Sequence, residues 1–127
     1  MNLIMTRKIR IGILVPSSNT ALEPLVYAIL SSIQSEDISI SVHFSRFHVT
    51  KIDSSESADA QFELETILAA ARLLADAHVD VIGWGGTSAG WLGFNIDERL
   101  CAAIKAETKI PATTSTLPST RHFHYSQ

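Results

Sequence analysis

The sequence predicts an α/β fold in three layers, a four-stranded parallel sheet with helices on both faces. Three observations carry this expectation. Short apolar runs rich in β-branched residues alternate along the chain with stripes of helical period. The first run stops at a proline, Pro16, and the third opens into a glycine-rich loop. The segments between runs are long enough for the crossover helices that parallel neighbours require.

Residues 9–15 (IRIGILV) are apolar and end at Pro16, and they read as a first strand buried on both faces. Between residues 20 and 35, Leu22, Leu25, Val26, Ile29, Leu30 and Ile33 form a single helical stripe. Thr20 and Glu23 stand at the spacing of a capping box. Pro24 suits a first helical position better than an interior one, so a start near Pro24, with 17–23 as a loop, is the alternative. Residues 38–47 (ISISVHFSRF) alternate apolar and polar, as a strand near the sheet edge does. Residues 53–59 are polar and serine-rich and read as a loop.

A second helix follows to about residue 77, with Leu64, Ile67, Leu68, Ala71, Leu74 and Ala75 on one stripe. Residues 79–84 (VDVIGW) form a third buried strand, and 85–93 a glycine-rich loop. Asn95 and Glu98 are spaced as an N-cap and its reciprocal partner, opening a helix to about residue 108. A fourth strand begins within 111–114. Right-handed crossovers then give a flavodoxin-like strand order of 2-1-3-4.

Composition removes several functional classes. Apolar residues make up 46% of the 127 residues and charged residues 18%, the profile of a folded globule. A net charge of −3 offers no basic footprint for nucleic acid. The single cysteine, Cys101, excludes an internal disulfide and a multi-cysteine zinc site, and fits a reducing, cytoplasmic setting. The opening MNLIMTRKIR places its charges after a short apolar start, the reverse of a signal peptide. No apolar run approaches the ~18 residues of a membrane span. No membrane and no nucleic-acid partner is expected.

In a sheet of this order, ligands sit beyond the carboxyl ends of the strands, where the order reverses between strands 1 and 3. Pro16, Ser17, Ser18, Asn19 and Thr20 follow strand 1, and Gly85, Gly86, Thr87 and Ser88 follow strand 3. Thr114 and Ser115, at the end of strand 4, should lie beside them. None of these residues is ionisable. Hydroxyls, the Asn19 amide and backbone N–H groups at helix starts suit an anion held without a formal positive charge. Serine, threonine and glycine are also what strand-to-helix turns are built from. Three such loops at one sheet edge favour binding. The loop GGTSAG lacks the lysine of a Walker A motif, and also the G-x-G-x-x-G spacing of a dinucleotide site.

The segment RIGILVPSSNTALEP (residues 10–24) resembles the first strand and loop of maleate isomerase-like proteins. The segments VDVIGWGGTSAGWLG (79–93) and RLCAAIKAETKIPATTST (99–116) resemble both maleate isomerases and arylmalonate decarboxylases, members of the aspartate/glutamate racemase superfamily. The resemblance implies one of two α/β domains that enclose an active site in the cleft between them. It implies a small carboxylate or dicarboxylate substrate, a carbanion or enediolate intermediate, and neither metal nor organic cofactor. Asn19 would orient a carboxylate, while Thr87 and Ser88 would stabilise the developing oxyanion. Gly86 stands where racemases and isomerases of the superfamily carry their first catalytic cysteine, which tilts the expectation from two-base chemistry toward decarboxylation.

Residues 1–116 are thus expected to form a racemase-like N-terminal domain, and 117–127 (LPSTRHFHYSQ) an atypical C-terminal tail. On this reading the second domain and its cysteine are missing. A non-catalytic carboxylate-binding domain, a dimerisation domain forming a homo-oligomer, and an inactive truncated product remain as alternatives. Cys101 reads as a buried small hydrophobe inside a helix. His122 and His124 lack a third ligand for a metal site. His43 and His48 have no assignable partner, and Glu63 and Glu65 read as solvated. Trp84 reads as core and Trp91 as a wall for an aryl or apolar substrate.

Overall fold

The computed structural model describes residues 7–33, 35–48, 57–84 and 94–114. Its elements follow the expected alternation: β1 (Arg7–Pro16), α1 (Leu22–Ser32), β2 (Ile38–Phe47), α2 (Ser57–Asp76), β3 (Val81–Trp84), α3 (Phe94–Thr108) and β4 (Ala112–Thr114). The four strands form one sheet in the order β2-β1-β3-β4, and every pairing is parallel. The expected architecture is therefore present, with β2 on an edge.

The register sorts side chains onto two unequal faces. Gly12, Leu14, Ser45, Phe47, Ile82 and Trp84 lie on one face, because Gly12 pairs with Ile82, Leu14 with Ser45 and Trp84, and Pro16 with Phe47. Against that face pack Ile67, Leu68, Ala70, Ala71 and Leu74 of α2, and Leu100 and Ile104 of α3, all buried. The small residues Ala70 and Ala71 let α2 come close to the sheet. Gly12 does the same from below: a Cβ there would stand 3.0 Å from Leu74 Cδ1 and 3.1 Å from Val79 Cγ2. Ser45 is the buried polar exception, and its hydroxyl donates to the Ala70 carbonyl at 2.8 Å. At the rim Arg72 of α2 and Glu107 of α3 form an exposed ion pair at 2.8 Å, an interaction of small net weight.

The second face departs from expectation. It presents Ile9, Ile11, Ile13 and Val15 beside Ile40, Val42, Phe44 and Arg46. α1 packs here, with Tyr27 edge-on to Phe44 at 5.7 Å between ring centroids. Three layers are thus present. Yet on β1 only Val15 of this face is fully buried, while Ile9, Ile11 and Ile13 are half-buried. No residue of α1 is buried, and Leu25, Tyr27 and Ile29 of the helix and Ile33 just past its end are each more than half exposed. The first strand is therefore not buried on both faces, and half of the predicted α1 stripe meets solvent.

Several boundaries move by a turn or less. α2 begins at Ser57, inside the segment expected as loop, and β3 begins at Val81. Val79 is buried beneath the sheet, and Asp80 locks the strand entry: its N–H donates to Arg10 O at 2.7 Å while its carboxylate accepts the Arg10 N–H at 2.8 Å. α3 begins at Phe94, so Asn95 falls inside the first turn rather than capping it from outside. α2 and α3 stop at His78 and Lys109, whose φ angles of 58° and 64° are the left-handed turn that ends a helix. Lys109 N–H reaches back to Lys105 O at 2.8 Å, satisfying one of the terminal carbonyls, and Thr108 Oγ1 donates to Ile104 O at 2.7 Å.

Candidate functional site

Parallel pairing brings the carboxyl ends of all four strands to one sheet edge. Leu14 of β1, Trp84 of β3 and Thr114 of β4 lie in one register row, with Pro16 and Phe47 paired just beyond. β1 and β3 are neighbours, and the chain leaves β1 toward β2 on the opposite side. This is the reversal of strand order at which such sheets bind ligands. The roots of the three hydroxyl-rich loops are therefore adjacent. Gly85, Gly86, Thr87, Ser88 and Ser115 lie outside the described residues, as do Trp91, His122 and His124.

The loop after β1 is described in full, and hydrogen bonds hold it at Pro16, Ser17, Asn19 and Ala21. Ser17 N–H donates to Phe47 O at 2.8 Å, continuing the β1–β2 ladder one residue past the strand. Asn19 N–H donates back to Pro16 O at 3.0 Å, closing a turn. Asn19 Oδ1 then accepts two backbone N–H groups, from Ala21 at 3.0 Å and from Leu22 at 2.9 Å. Asn19 thus caps α1 from three residues before its first helical residue, Leu22. Ser17, Ser18 and Thr20 are exposed, and Pro16 and Asn19 half-buried.

This cap corrects the expected pairing of Thr20 with Glu23. Glu23 is engaged elsewhere: its carboxylate accepts from Arg46 Nη2 at 2.7 Å. Pro24 sits in the first helical turn, where its missing N–H costs no helical bond. The helix therefore starts ahead of Pro24, with a shorter loop than the alternative reading required.

The geometry of Asn19 has a chemical consequence. An amide whose oxygen is committed to two N–H donors has its orientation fixed, leaving Nδ2 as a two-proton donor on the other side. Among the described residues Nδ2 has no hydrogen-bond partner. A neutral donor with fixed aim at a helix start is suited to a carboxylate oxygen.

Arg46 is a participant the motif reading missed. Its Nη1 lies 3.3 Å from Pro16 O, 3.1 Å from Ser17 O and 2.8 Å from Asn19 O, donating to the loop's carbonyls. The signal was present in ISISVHFSRF. Apolar residues occupy positions 38, 40, 42 and 44, and a charge breaks that phase at 46. Such a break at a strand end marks a residue with a specific partner.

The remaining candidates are placed as follows. Cys101 is buried beside Leu100 and Ile104 in α3, in keeping with a packing role. Cys101→Ala is expected to lower stability by about 1 kcal/mol and to leave carboxylate affinity unchanged in a binding titration. His43 Nε2 lies 2.8 Å from Ser41 Oγ on the edge strand, so it does have a partner. His48 and Glu65 are exposed, whereas the Glu63 side chain lies outside the described residues. Trp84 is core, stacked on Phe47 with ring centroids 4.9 Å apart. Its buried Nε1 has no hydrogen-bond partner among the described residues. No group of three His, Cys, Asp or Glu residues placed to hold a metal occurs among the described residues, and no helix there is long and apolar enough to cross a membrane.

No protein-family model matches the sequence, and no curated protein does. Solved structures do. A maleate isomerase from Pseudomonas putida S16, determined with maleate, superposes with a TM-score of 0.66 at 24% identity, over 86% of this chain and 45% of its own. A maleate cis-trans isomerase from Nocardia farcinica, carrying a covalently bound succinylcysteine intermediate, gives 0.64 at 23% identity, over 85% and 44%. Unliganded arylmalonate decarboxylase gives 0.55 at 23% identity, over 84% and 41%. The chain spans less than half the length of each of these three structures. The resemblance read from the sequence therefore extends to the architecture, and the chain has the fold of one α/β domain of the maleate isomerases and arylmalonate decarboxylase.

Proposed function

We propose that this domain forms the carboxylate-binding half of a cofactor-independent active site of the aspartate/glutamate racemase type. The observation that carries the reading is the Asn19 amide, whose Oδ1 is fixed by two backbone hydrogen bonds at the strand-order reversal and whose Nδ2 has no hydrogen-bond partner among the described residues. Asn19 would hold one carboxylate of a small mono- or dicarboxylic acid. In the decarboxylase form of the chemistry, the bond from Cα to the leaving carboxylate breaks and its electron pair passes into the remaining carboxylate. The resulting enediolate oxygen would be stabilised by donors from Thr87 and Ser88, with Thr114 and Ser115 bordering the same edge. Proton delivery to Cα belongs to a second α/β unit facing this one. Racemisation uses the same intermediate with acid and base on opposite faces, whereas cis-trans isomerisation needs a thiol to add across the double bond, so that the C–C bond can turn before the thiol leaves again. Gly86 in the place of a first cysteine weighs against both.

The test is titration of the purified chain with maleate and malonate, following the Asn19 side-chain NH₂ signals by NMR. The reading expects saturable shifts, weakened in Thr87→Ala and unaltered in Cys101→Ala. No response at tens of millimolar ligand, a concentration at which a Kd near 1 mM corresponding to about −4 kcal/mol would saturate, ends the proposal. Decarboxylase, isomerase and racemase assays, on the chain alone and with a partner domain bearing a cysteine loop, then separate the reactions.

One observation favours a second reading, a non-catalytic dimerisation domain. Leu25 and Ile29, one turn apart on α1, and Ile33 at its C-terminal end are each more than half exposed, and exposed apolar side chains along one helix stripe mark contact sites. Sedimentation that stays monomeric across the micromolar range would remove it.

A further inference from the structure

We propose that Arg46 is the positioning residue of the carboxylate site, holding the loop after β1 so that the Asn19 amide keeps its aim without touching the ligand itself. This rests on the carboxylate reading above and adds the residue that sets the geometry of the site. Arg46 stands on the α1 side of the sheet, paired with the fully buried Val15. Its guanidinium reaches both flanks of Asn19. Nη1 contacts the carbonyls of Pro16, Ser17 and Asn19 at 3.3, 3.1 and 2.8 Å, and Nη2 contacts Glu23 at 2.7 Å in the first turn of α1.

Three carbonyl oxygens converging on one point carry like partial charges and would splay apart without a cation between them. The planar fork of arginine can serve carbonyls with one nitrogen and a carboxylate with the other, which the single ammonium of lysine cannot do with the same reach. The donors of Nη1 and Nη2 are thus directed onto the loop and Glu23. The charge stands behind the loop as a fixed contribution to its field rather than as a ligand contact. The nearby carboxylate of Glu23 offsets it, so the site gains rigidity more than net positive charge.

The test compares Arg46→Ala, Arg46→Lys and Glu23→Gln with Arg72→Ala, which removes a second exposed ion pair, the one between α2 and α3 on the opposite face of the sheet. Two readouts are taken on folded protein: the backbone amide signals of Ala21 and Leu22, which report the Asn19 cap, and maleate affinity. Arg46→Ala should move both amide signals toward their unbonded positions and weaken maleate about tenfold, the equivalent of one charge-assisted hydrogen bond. Arg46→Lys and Glu23→Gln should weaken it about two- to threefold, and Arg72→Ala should change neither readout. If Arg46→Ala does not fold, the Lys and Gln variants decide. Unchanged amide signals and wild-type affinity in them overturn the proposal. If the wild-type chain binds no maleate, the carboxylate reading fails, while the Ala21 and Leu22 signals still show whether Arg46 holds the loop.

Discussion

Asn19→Asp is expected to abolish carboxylate binding while leaving the melting temperature unchanged or slightly raised. The substitution keeps the cap, because an Asp oxygen accepts the Ala21 and Leu22 N–H groups as the amide oxygen does. A negative charge at a helix start adds about 0.3–1 kcal/mol through the helix dipole. The other side of the group changes sign. The Nδ2 donor disappears, costing about 1.5–3 kcal/mol for a hydrogen bond to a charged acceptor. An anion also faces the ligand's anion, a repulsion of about 1–4 kcal/mol at 4 Å depending on local screening. Together these correspond to at least about a hundredfold loss of affinity. Asn19→Ala loses the donor and the cap at once, so it should bind weakly and also lose about 1 kcal/mol of stability. Calorimetric titration and thermal melts of the three proteins decide the matter. Wild-type affinity in the Asp variant would show that Nδ2 touches no ligand. A sharp drop in its melting temperature would show that Oδ1 is not the cap.

The largest effect on stability is expected at Gly12. A Cβ at this position meets Leu74 Cδ1 at 3.0 Å, Val79 Cγ2 at 3.1 Å and Leu74 Cδ2 at 3.2 Å. These are the ends of flexible side chains, so a single methyl can be accommodated with a small shift. Gly12→Ala also restricts the unfolded chain, a gain of about 0.4–1 kcal/mol that offsets most of that crowding, and near-neutral stability is expected. Gly12→Val adds two further methyls between β1 and α2, where Leu74 is itself packed. Overpacking of this kind costs about 3 kcal/mol, a fall in melting temperature on the order of 10 °C. Equal melting temperatures for the Ala and Val variants would mean that α2 is not seated on Gly12 as described.

Much of the fold was legible because its signals are local. The β-branched runs at 9–15 and 79–84 needed no partner to identify them, and strands alternating with helices left few parallel orders available. The apolar stripe of α2 was read nearly whole, with Ala70 the buried residue it omitted. The stripe of α1 was over-read for a physical reason. Periodicity marks which side of a helix is apolar, and not whether something covers it. Leu22, Val26 and Leu30 are half-buried, while Leu25, Ile29 and Ile33 are exposed.

The site divides in the same way. Asn19 was identified from its motif, but its capping role lost out to the pairing of Thr20 with Glu23, which fits the capping-box spacing equally well. What decided between them is Arg46, 23 residues beyond Glu23 in sequence. No local rule contains that contact. It required the parallel register that brings the end of β2 beside the end of β1.

The loop proposed to bind carboxylate is built on the head of α1, and α1 contributes nothing to the buried core. Hydrogen exchange should therefore divide this small fold into two cooperative units. Amides of β1, β3 and α2 are expected to exchange only on global opening, whereas those of α1 exchange through a separate opening of lower free energy. Each such opening would dissolve the Asn19 cap, so the site would exist only for the fraction of time that α1 is closed. A ligand seated there selects the closed form and pays for that selection in apparent affinity. Its footprint in an exchange experiment should consequently spread along the whole of α1, well past the few residues it touches.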